Sequence, residues 1–399
     1  MISTYTKNAI VLGLLAAVGP FAIDMYIPAL PTIAADLHAS TQATQMTLMV
    51  FFVSFGVLQI VYGPLSDMFG RKPPLYFGLV LYVAGAIGCS LAGTIESLIA
   101  FRVVQGIGAS AVMVIPRAII RDLYTGIEAT KLMSLVMLVL SVAPILAPLG
   151  GSALIVPFGW RAVFMAMTVI GVLGLILVIR ALPETRPASE RISASFGSAF
   201  AGFGRLLRHG HFLGLTFIGG FGMASFFVYL ASSSFIYIDH FGLTPTQYSF
   251  AFSLNAIAFI GTSQFAATLG GRFGMARVVR AAIGGFAFFA LVLLALTLAG
   301  VDNLYVLIAL LFCANGPLGL VIPTCMVLAL EEHGPIAGMA SALGGTLQMV
   351  FGAIMIVVVS QLFDGTALPM VGMIAFSAVC ALILGLITLR GRVLAGPAH

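Results

Sequence analysis

Charged side chains are scarce in this sequence of 399 residues: only 8% are Asp, Glu, Lys or Arg, whereas 61% are hydrophobic. Soluble domains usually carry about 25% charged residues, so this chain cannot cover a water-facing surface of the size its length requires. The apolar content also excludes a disordered chain. The apolar runs are far longer than the ~10-residue alternating strands of a membrane barrel. We therefore expect an all-α membrane protein.

Cysteine and paired metal ligands are rare as well. The 4 cysteines fall inside apolar runs and none has CxxC spacing, which excludes a disulfide scaffold and favours packing roles. The 6 histidines are scattered without the spacing of a metal site. No nucleotide-binding loop and no nucleophile–base set is present. The sequence therefore predicts no metal, no cofactor and no enzymatic activity.

Long apolar segments divide the chain into two sets of six. A helix that crosses a bilayer needs about 20 apolar residues. This rule predicts twelve transmembrane helices, at residues 8–30, 44–65, 75–93, 97–118, 132–155, 162–182, 211–235, 247–269, 279–300, 304–329, 338–362 and 369–390. Residues 183–210 are polar, so we expect a cytoplasmic linker there, with room for an interfacial helix. The linker would join an N-terminal six-helix bundle at 1–182 to a C-terminal one at 211–399.

The positions of the basic residues predict the orientation. If the N-terminus is cytoplasmic, every Lys and Arg except Arg102 and Arg161 lies in a cytoplasmic segment, as the positive-inside rule requires. The opposite loops carry acidic residues instead. The net charge of +5 is thus a topology signal and does not indicate nucleic-acid binding. We expect a multi-pass protein of a bacterial inner membrane, in contact with lipid, with both termini cytoplasmic.

The two halves resemble each other at an offset of roughly 205 residues. Residues 67–73 correspond to 271–277, after the second span of each half. Val114-Ile115-Pro116 corresponds to Val321-Ile322-Pro323, in the fourth span of each half. Six spans per half give both halves the same orientation. This predicts a parallel pseudo-repeat of two six-helix bundles around a central cavity.

The segment after the second span carries a recognisable motif. Residues 63–73 read GPLSDMFGRKP and resemble the signature G-x-L-[SA]-D-[RK]-x-G-R-[RK]-x of the major facilitator superfamily. The departure is Met68, which stands where the family usually has a basic residue. An ordinary basic inner loop is the alternative interpretation.

Each polar or small residue of this motif has a physical role that can be predicted. Gly63 and Gly70 allow a close approach and a sharp turn between two helices. Asp67 is placed to meet a positive partner, which we expect to be the N-terminus of the eleventh span or a basic residue that ends the fourth. Arg71 and Lys72 would anchor the loop at anionic headgroups. The motif thus predicts a loop that controls conformation.

A second motif lies in the fourth span. Residues 98–109 read LIAFRVVQGIGA and resemble the superfamily signature L-x-x-x-R-x-x-Q-G-x-G-A. Gly106 and Gly108 let this helix pack closely on a neighbour. Arg102 inside a span costs ~2.5–3.5 kcal/mol on insertion scales, so it should face a partner or a wet cavity. The alternative is that Arg102 extends to the outer interface.

Segments in the fifth and first spans resemble particular branches of the superfamily. Residues 142–151 read VAPILAPLGG and resemble the signature of the drug-exporting branch in part, through Pro144, Pro148, Gly150 and Gly151. A merely kinked helix is the alternative. Residues 21–31 read FAIDMYIPALP and resemble the first span of the bicyclomycin/chloramphenicol resistance branch, whose members are twelve-span drug:proton antiporters.

Asp24 is the one acidic residue predicted well inside a span. At 1.5 Å per residue, Asp24 and Arg102 lie at similar depths, roughly 10 Å and 8 Å from the outer ends of their spans. A carboxyl group in this setting can alternate between a protonated form and a pair with the arginine. We therefore expect these two residues to couple transport to protons. The alternative is that Asp24 only caps its helix locally.

The resemblance implies the function and the partners. It implies export of a small, partly apolar compound in exchange for protons, by a functional monomer. The alternative is a proton-coupled transporter of a defined metabolite, such as a nucleoside, sugar or amino-acid derivative. Polarity and span position suggest that the substrate cavity is lined by Tyr26, Gln59, Gln105, Tyr229, Ser232, Asn255 and Gln348.

Overall fold

The structure is a computed structural model that describes residues 4–187, 189, 203–331, 333 and 337–390. The chain divides into two compact units, Met1–Phe196 and Gly197–His399. The predicted linker lies partly, and its suggested interfacial helix mostly, outside the described residues. Twelve helical segments in the described part are long and apolar enough to cross a membrane, in agreement with the twelve predicted spans.

The described part of unit 1 contains seven α-helices. Their bounds are Thr4–Asp24 (α1), Leu30–Asp36 (α2), Thr41–Phe69 (α3), Lys72–Leu91 (α4), Ile95–Leu123 (α5), Gly126–Phe158 (α6) and Arg161–Ala181 (α7). Helix α5 lies at the centre, because it packs extensively on α3 and α4 and also on α1. Helix α1 in turn packs on α6 and α7.

The described part of unit 2 contains seven longer helices, besides a short helical stretch at residues 203–206. Their bounds are Gly210–Ser234 (α8), Pro245–Ser263 (α9), Ala266–Phe273 (α10), Met275–Leu298 (α11), Leu304–Glu331 (α12), Ala337–Leu362 (α13) and Leu368–Thr388 (α14). Helix α8 is central here and packs on α12, α13 and α14. It continues directly into a π-helical segment, Phe235–His240.

The first predicted span is broken in the structure. Helix α1 ends at Asp24, a single 3₁₀ turn follows at Ile27–Ala29, and α2 then completes the span. Proline explains the position of the break. Pro28 has no N–H to donate to the carbonyl of Asp24, four residues earlier, so a regular helix cannot continue through this point. The break leaves backbone carbonyls of α1 available for side chains.

Close packing of α5 on its neighbours depends on glycine. A Cβ atom added at Gly106 would lie 2.1 Å from Oγ of Ser54, and one added at Gly108 would lie 2.3 Å from the backbone nitrogen of Tyr82. Neither distance is compatible with a side chain, so α5 approaches α3 and α4 as closely as the motif predicted. This contact fixes the depth and direction of the side chains one turn earlier on α5.

The predicted repeat is visible in the backbone of both units. Gly70 follows α3 with a φ of 92°, and Gly274, its counterpart, follows α10 with a φ of 87°. Gly159 and Gly365 also have positive φ, of 79° and 87°, after the fifth and the eleventh spans. Glycine adopts this conformation without the steric cost that other residues pay. The turns of the two units are therefore built from equivalent glycines.

Candidate functional site

Asp24 lies at the end of α1, where the helix breaks. Its side chain is buried, with 4% of the residue exposed. Asp24 lies within the span Tyr5–Asp36, as predicted, but it ends a helix rather than occupying the middle of one. Among the described residues, none of the ion pairs includes Asp24. The carboxyl group is thus enclosed without a charged partner.

Arg102 is fully buried inside unit 1. Its Nη1 donates to the carbonyl oxygen of Ala22 at 3.1 Å, and its Nε donates to that of Thr47 at 3.4 Å. The guanidinium also lies between two aromatic rings, 4.6 Å from the ring centre of Tyr26 and 4.2 Å from that of Phe51. Such cation–π contacts stabilise a desolvated cation. The guanidinium therefore points into the bundle and not toward the outer interface.

The predicted pair of Asp24 with Arg102 is not formed in this structure. Because α1 ends at Asp24, the carbonyl of Ala22 has no helical donor, and Arg102 supplies one instead. Nη2 of Arg102 has no hydrogen-bond partner. An unpaired buried donor of this kind is costly. Arg102 thus keeps one free donor close to the α1 break that carries Asp24.

Two residues predicted to line the substrate cavity belong to the surroundings of Arg102. Gln105 is fully buried and accepts a hydrogen bond from Nη1 of Arg102 at 2.8 Å. The hydroxyl groups of Tyr26 and Thr47 form a hydrogen bond, with 2.5 Å between Oη and Oγ1. We name Tyr26, Thr47, Arg102 and Gln105 the arginine cluster. Gln59, a third predicted cavity residue, is half-buried on α3.

The fifth-span motif contacts α1 directly beside Asp24. A Cβ atom added at Gly151 would lie 2.1 Å from the backbone carbonyl oxygen of Met25, and one at Gly150 would lie 4.0 Å from Cε of the Met25 side chain. Pro144 and Pro148 lie inside α6 without ending it. The motif therefore packs α6 against the break in α1, a contact that the sequence did not predict.

The motif after the second span forms an ionic network. Arg71 is buried and donates to both carboxylate oxygens of Asp122, at 2.7 and 3.1 Å, and to Asp67 at 2.8 Å. Burial opposes the charged form, but the hydrogen bond to Asp122 and the charges of Asp122 and Asp67 raise the pKa of Arg71 above its ordinary value. The prediction that Arg71 faces lipid headgroups is wrong, because Asp122 at the end of α5 binds it.

The basic partners of Asp67 differ from the two expected at the end of the fourth span, whereas its approach to the N-terminus of the eleventh span stays a prediction. Asp67 pairs with Arg71 and with Arg186, whose Nη1 lies 2.7 Å from the carboxylate. Arg117 and Arg121, the basic residues expected as partners, take part in no ion pair of the described chain.

The close approach of two helices that was expected at Gly63 is not observed, because a Cβ atom added there would meet no described atom within 4 Å.

The segment after α7 completes this network. The carboxylate of Glu184 accepts hydrogen bonds from the backbone N–H of Arg71, at 2.8 Å, and of Lys72, at 3.0 Å. Nζ of Lys72 donates to the carbonyl of Leu182 at 2.8 Å, while its predicted contact with headgroups stays a prediction. Sequence reasoning missed these partners because Glu184 lies 112 residues beyond Lys72 in the chain.

Arg161, the second exception to the charge rule, is also paired. Its Nη1 lies 2.6 Å from the carboxylate of Asp36, which accepts a further bond from Nε1 of Trp160 at 3.0 Å. A positive charge on the predicted outer side is thus neutralised by the acidic end of α2. Both exceptions to the charge pattern therefore have local structural explanations.

The cavity residues predicted in unit 2 are all buried. Tyr229, Ser232, Asn255 and Gln348 have at most 8% exposure. Asn255 accepts a hydrogen bond from Nδ2 of Asn315 at 3.2 Å, and Gln348 approaches the carbonyl of Thr216 at 3.5 Å. These residues lie on α8, α9 and α13 of one unit.

The twelve apolar helices found among the described residues define a polytopic membrane protein. The sequence profile of the Major Facilitator Superfamily matches residues 12–356, and the chain belongs to this family. It is similar to the uncharacterized MFS-type transporter YdgK of Bacillus subtilis (strain 168), with 36% identity over 93% of this chain and 92% of that protein.

Two further similarities concern the drug-resistance branch and the fold. The bicyclomycin resistance protein homolog of Haemophilus influenzae is 30% identical over 90% of each chain, which confirms the predicted resemblance. The crystal structure of a D-xylose–proton symporter superposes with a TM-score of 0.73, at 17% identity, over 97% of each chain. At this identity the superposition shows the fold alone. The family match and the sequence relatives identify the chain as a transporter of the superfamily.

Proposed function

We propose that the protein exports small, partly apolar compounds such as antibiotics in exchange for protons, by alternating access across a bacterial inner membrane. It would act as a monomer surrounded by lipid, with both termini cytoplasmic. The charge pattern supports this orientation. The resistance function in the name of the Haemophilus influenzae relative supports the class of substrate.

One observation supports proton coupling above the others. Asp24 and Arg102 are buried charged side chains within membrane spans of unit 1, and they lie near the same helix break without being paired. Buried ionisable groups within spans are costly and mark ion pathways. Asp24 would take up a proton from the outer side and release it inside, and Nη2 of Arg102 would bind the carboxylate after release.

Energetically, such coupling is sufficient for uphill export. Moving one charge across the membrane yields ~2.3 kcal/mol per 100 mV, and a pH difference of one unit adds ~1.4 kcal/mol. One proton can therefore drive a concentration ratio of more than tenfold for a neutral compound. The network of Asp67, Arg71 and Asp122 would control the conformational step, because it ties α3, α4 and α5 together at one end.

Proteoliposomes with an imposed pH gradient test this function. Labelled antibiotics and metabolites are loaded separately, and their movement is followed with the wild type and with Asp24→Asn. We expect gradient-driven transport of apolar antibiotics by the wild type and its loss in Asp24→Asn. The matched control is Glu96→Gln, which neutralises an exposed acid of the same unit and should transport normally.

Three outcomes contradict the proposal. Gradient-driven transport by Asp24→Asn at the wild-type rate would exclude this residue as the proton carrier. Transport that does not respond to the gradient would exclude coupling altogether. Movement of one metabolite and of no antibiotic would instead support the alternative, a proton-coupled metabolite transporter.

A further inference from the structure

Three arginines of unit 2 lie around the turn between α10 and α11. Arg272 is in the last turn of α10, and Arg277 and Arg280 are in the first two turns of α11, beyond Gly274. Arg277 and Arg280 are three positions apart, so they are neighbours on the surface of the helix. Arg272 and Arg277 are exposed, and Arg280 is half-buried. We name these three residues the arginine turn.

Acidic side chains do not neutralise the arginine turn. None of its members takes part in an ion pair within the described part of the chain. The sequence has no Asp or Glu between Asp239 and Asp302. The equivalent turn of unit 1 differs, because Asp67 and Asp122 bind Arg71 there. The turn of unit 2 therefore keeps its positive charges for an anion from outside the chain.

An apolar stripe on the surface of α11 begins one turn after Arg277. Its members are Ala281, Gly284, Phe288 and Leu291, and their spacing of three or four residues places them on one side of the helix. Ala281, Phe288 and Leu291 are exposed, Phe288 to 61%. A Cβ atom added at Gly284 would meet no described atom within 4 Å. The stripe is therefore an open apolar surface with a shallow gap at this glycine.

The length of this stripe matches one leaflet of a bilayer. From Arg277 to Phe288 the helix rises ~16 Å at 1.5 Å per residue, which is about half of the ~30 Å thickness of the hydrocarbon core. Phe265 and Phe273 add exposed apolar surface on the other side of the turn. The guanidinium of Arg272 lies 5.2 Å from the ring centre of Phe273. Positive charge followed by one leaflet of apolar surface fits a ligand with an anionic head and an acyl chain.

We propose that the arginine turn and the stripe of α11 form a binding site for an anionic phospholipid. The arginines would bind the phosphate of the lipid, and one acyl chain would lie along the stripe, over Gly284. The predicted orientation assigns this lipid to the cytoplasmic leaflet, whose anionic lipids attract basic segments. The inference goes beyond the proposed function and does not depend on it, because lipid binding requires neither a substrate nor a proton gradient.

Equilibrium titration of the full chain in detergent with fluorescent lipids tests the inference. The probes are phosphatidylglycerol, which is anionic, and phosphatidylcholine with the same acyl chains, which is zwitterionic; inorganic phosphate serves as a soluble competitor. We expect the wild type to bind phosphatidylglycerol about tenfold more tightly than phosphatidylcholine. Arg277→Gln should weaken phosphatidylglycerol binding about fivefold, since it removes one of the charges that bind the phosphate. Gly284→Trp should also weaken it, about threefold or more, because the ring fills the gap without changing the charge.

The matched control is Arg121→Gln, which removes an exposed arginine from the last turn of α5 in unit 1 and should leave lipid binding unchanged. Thermal unfolding in detergent checks that all three variants are folded. Equal weakening by Arg121→Gln and Arg277→Gln would reveal a general effect of net charge and overturn the inference. So would equal affinity for the two lipids, displacement of the lipid by inorganic phosphate, or unchanged binding in Arg277→Gln or Gly284→Trp. None of these measurements involves transport, so their outcome is independent of the proposed function.

Discussion

At the scale of single residues, the guanidinium of Arg102 is held by two backbone carbonyls, an amide and two rings rather than by a carboxylate. This arrangement uses the planar, forked geometry that distinguishes arginine from lysine. The charge alone does not explain it, because a compact ammonium group could not reach α1 and α3 together. The side chain therefore connects the α1 break to the neighbouring helix.

We predict that Arg102→Lys reduces transport roughly tenfold or more and lowers thermal stability, although it preserves the charge. At least one bond to a charged donor is lost, at about 1.5–3 kcal/mol each. The measurements are initial efflux rates in proteoliposomes and thermal unfolding in detergent. As control, Arg161→Lys alters a half-exposed pair and should change stability by less than ~1 kcal/mol. Wild-type rates and stability in Arg102→Lys would show that charge suffices.

Two glycines of unit 1 differ in the space around them. We predict that Gly106→Ala destabilises the protein by about 1–3 kcal/mol, because its Cβ would lie 2.1 Å from Oγ of Ser54 and 2.8 Å from the carbonyl of Phe51. Gly63→Ala meets no described atom within 4 Å and should be neutral or stabilising by up to ~1 kcal/mol, since alanine favours helix. Thermal unfolding of both variants compares them directly. Equal shifts would mean that the close packing of α5 contributes nothing.

At the scale of elements, length and hydrophobicity were enough to predict the twelve spans, because each apolar run is close to the thickness of a bilayer. The break at Asp24 was not predicted, although Pro28 supplied a readable signal four residues later. The π-helical segment after α8 has no such signal in the sequence. The hydrogen bonds between Glu184 and α4 also have no signal in the sequence, since they depend on how α7 ends beside α4.

The carboxylate of Glu184 accepts hydrogen bonds from the free backbone N–H groups at the beginning of α4. The first helical positions include Pro73 and Pro74, which have no N–H. Arg71 and Lys72 therefore supply the free amide donors of this end, and Glu184 accepts both. Its negative charge also suits the positive end of the helix dipole. The Glu184 carboxylate thus binds both free N–H groups at the beginning of α4 and interacts favourably with the positive end of its helix dipole.

We predict that Glu184→Gln increases amide hydrogen exchange at Arg71 and Lys72 about tenfold, which corresponds to ~1.4 kcal/mol of lost protection. Exchange is measured by mass spectrometry on a peptide that covers the start of α4. The control is Glu128→Gln, which changes an exposed acid in the first turn of α6 and should leave this peptide unchanged. If both variants exchange equally, Glu184 does not stabilise α4.

At the scale of the whole molecule, the repeat keeps two pairs of turn glycines but not the ion-paired residues of the motif after the second span. Gly70 and Gly274 share a positive φ, yet the positions of Asp67 and Arg71 in unit 1 are Gly271 and Met275 in unit 2. The repeated glycines could be predicted because both serve the same backbone turn. The ion pairs of Asp67 and Arg71 could not be predicted, because the partners of these residues come from α5 and from the segment after α7.

This asymmetry predicts how variants of unit 2 will behave. Asn255→Ala and Gln348→Ala remove neutral polar groups that lie on α9 and α13. We expect each to change the apparent affinity or the selection of exported compounds several-fold, by about 1 kcal/mol per hydrogen bond. Substrate-independent proton binding, measured by potentiometric titration in detergent, should persist in both and disappear in Asp24→Asn. Loss of that proton binding in a unit 2 variant with Asp24 intact would refute this division between proton binding in unit 1 and compound selection in unit 2.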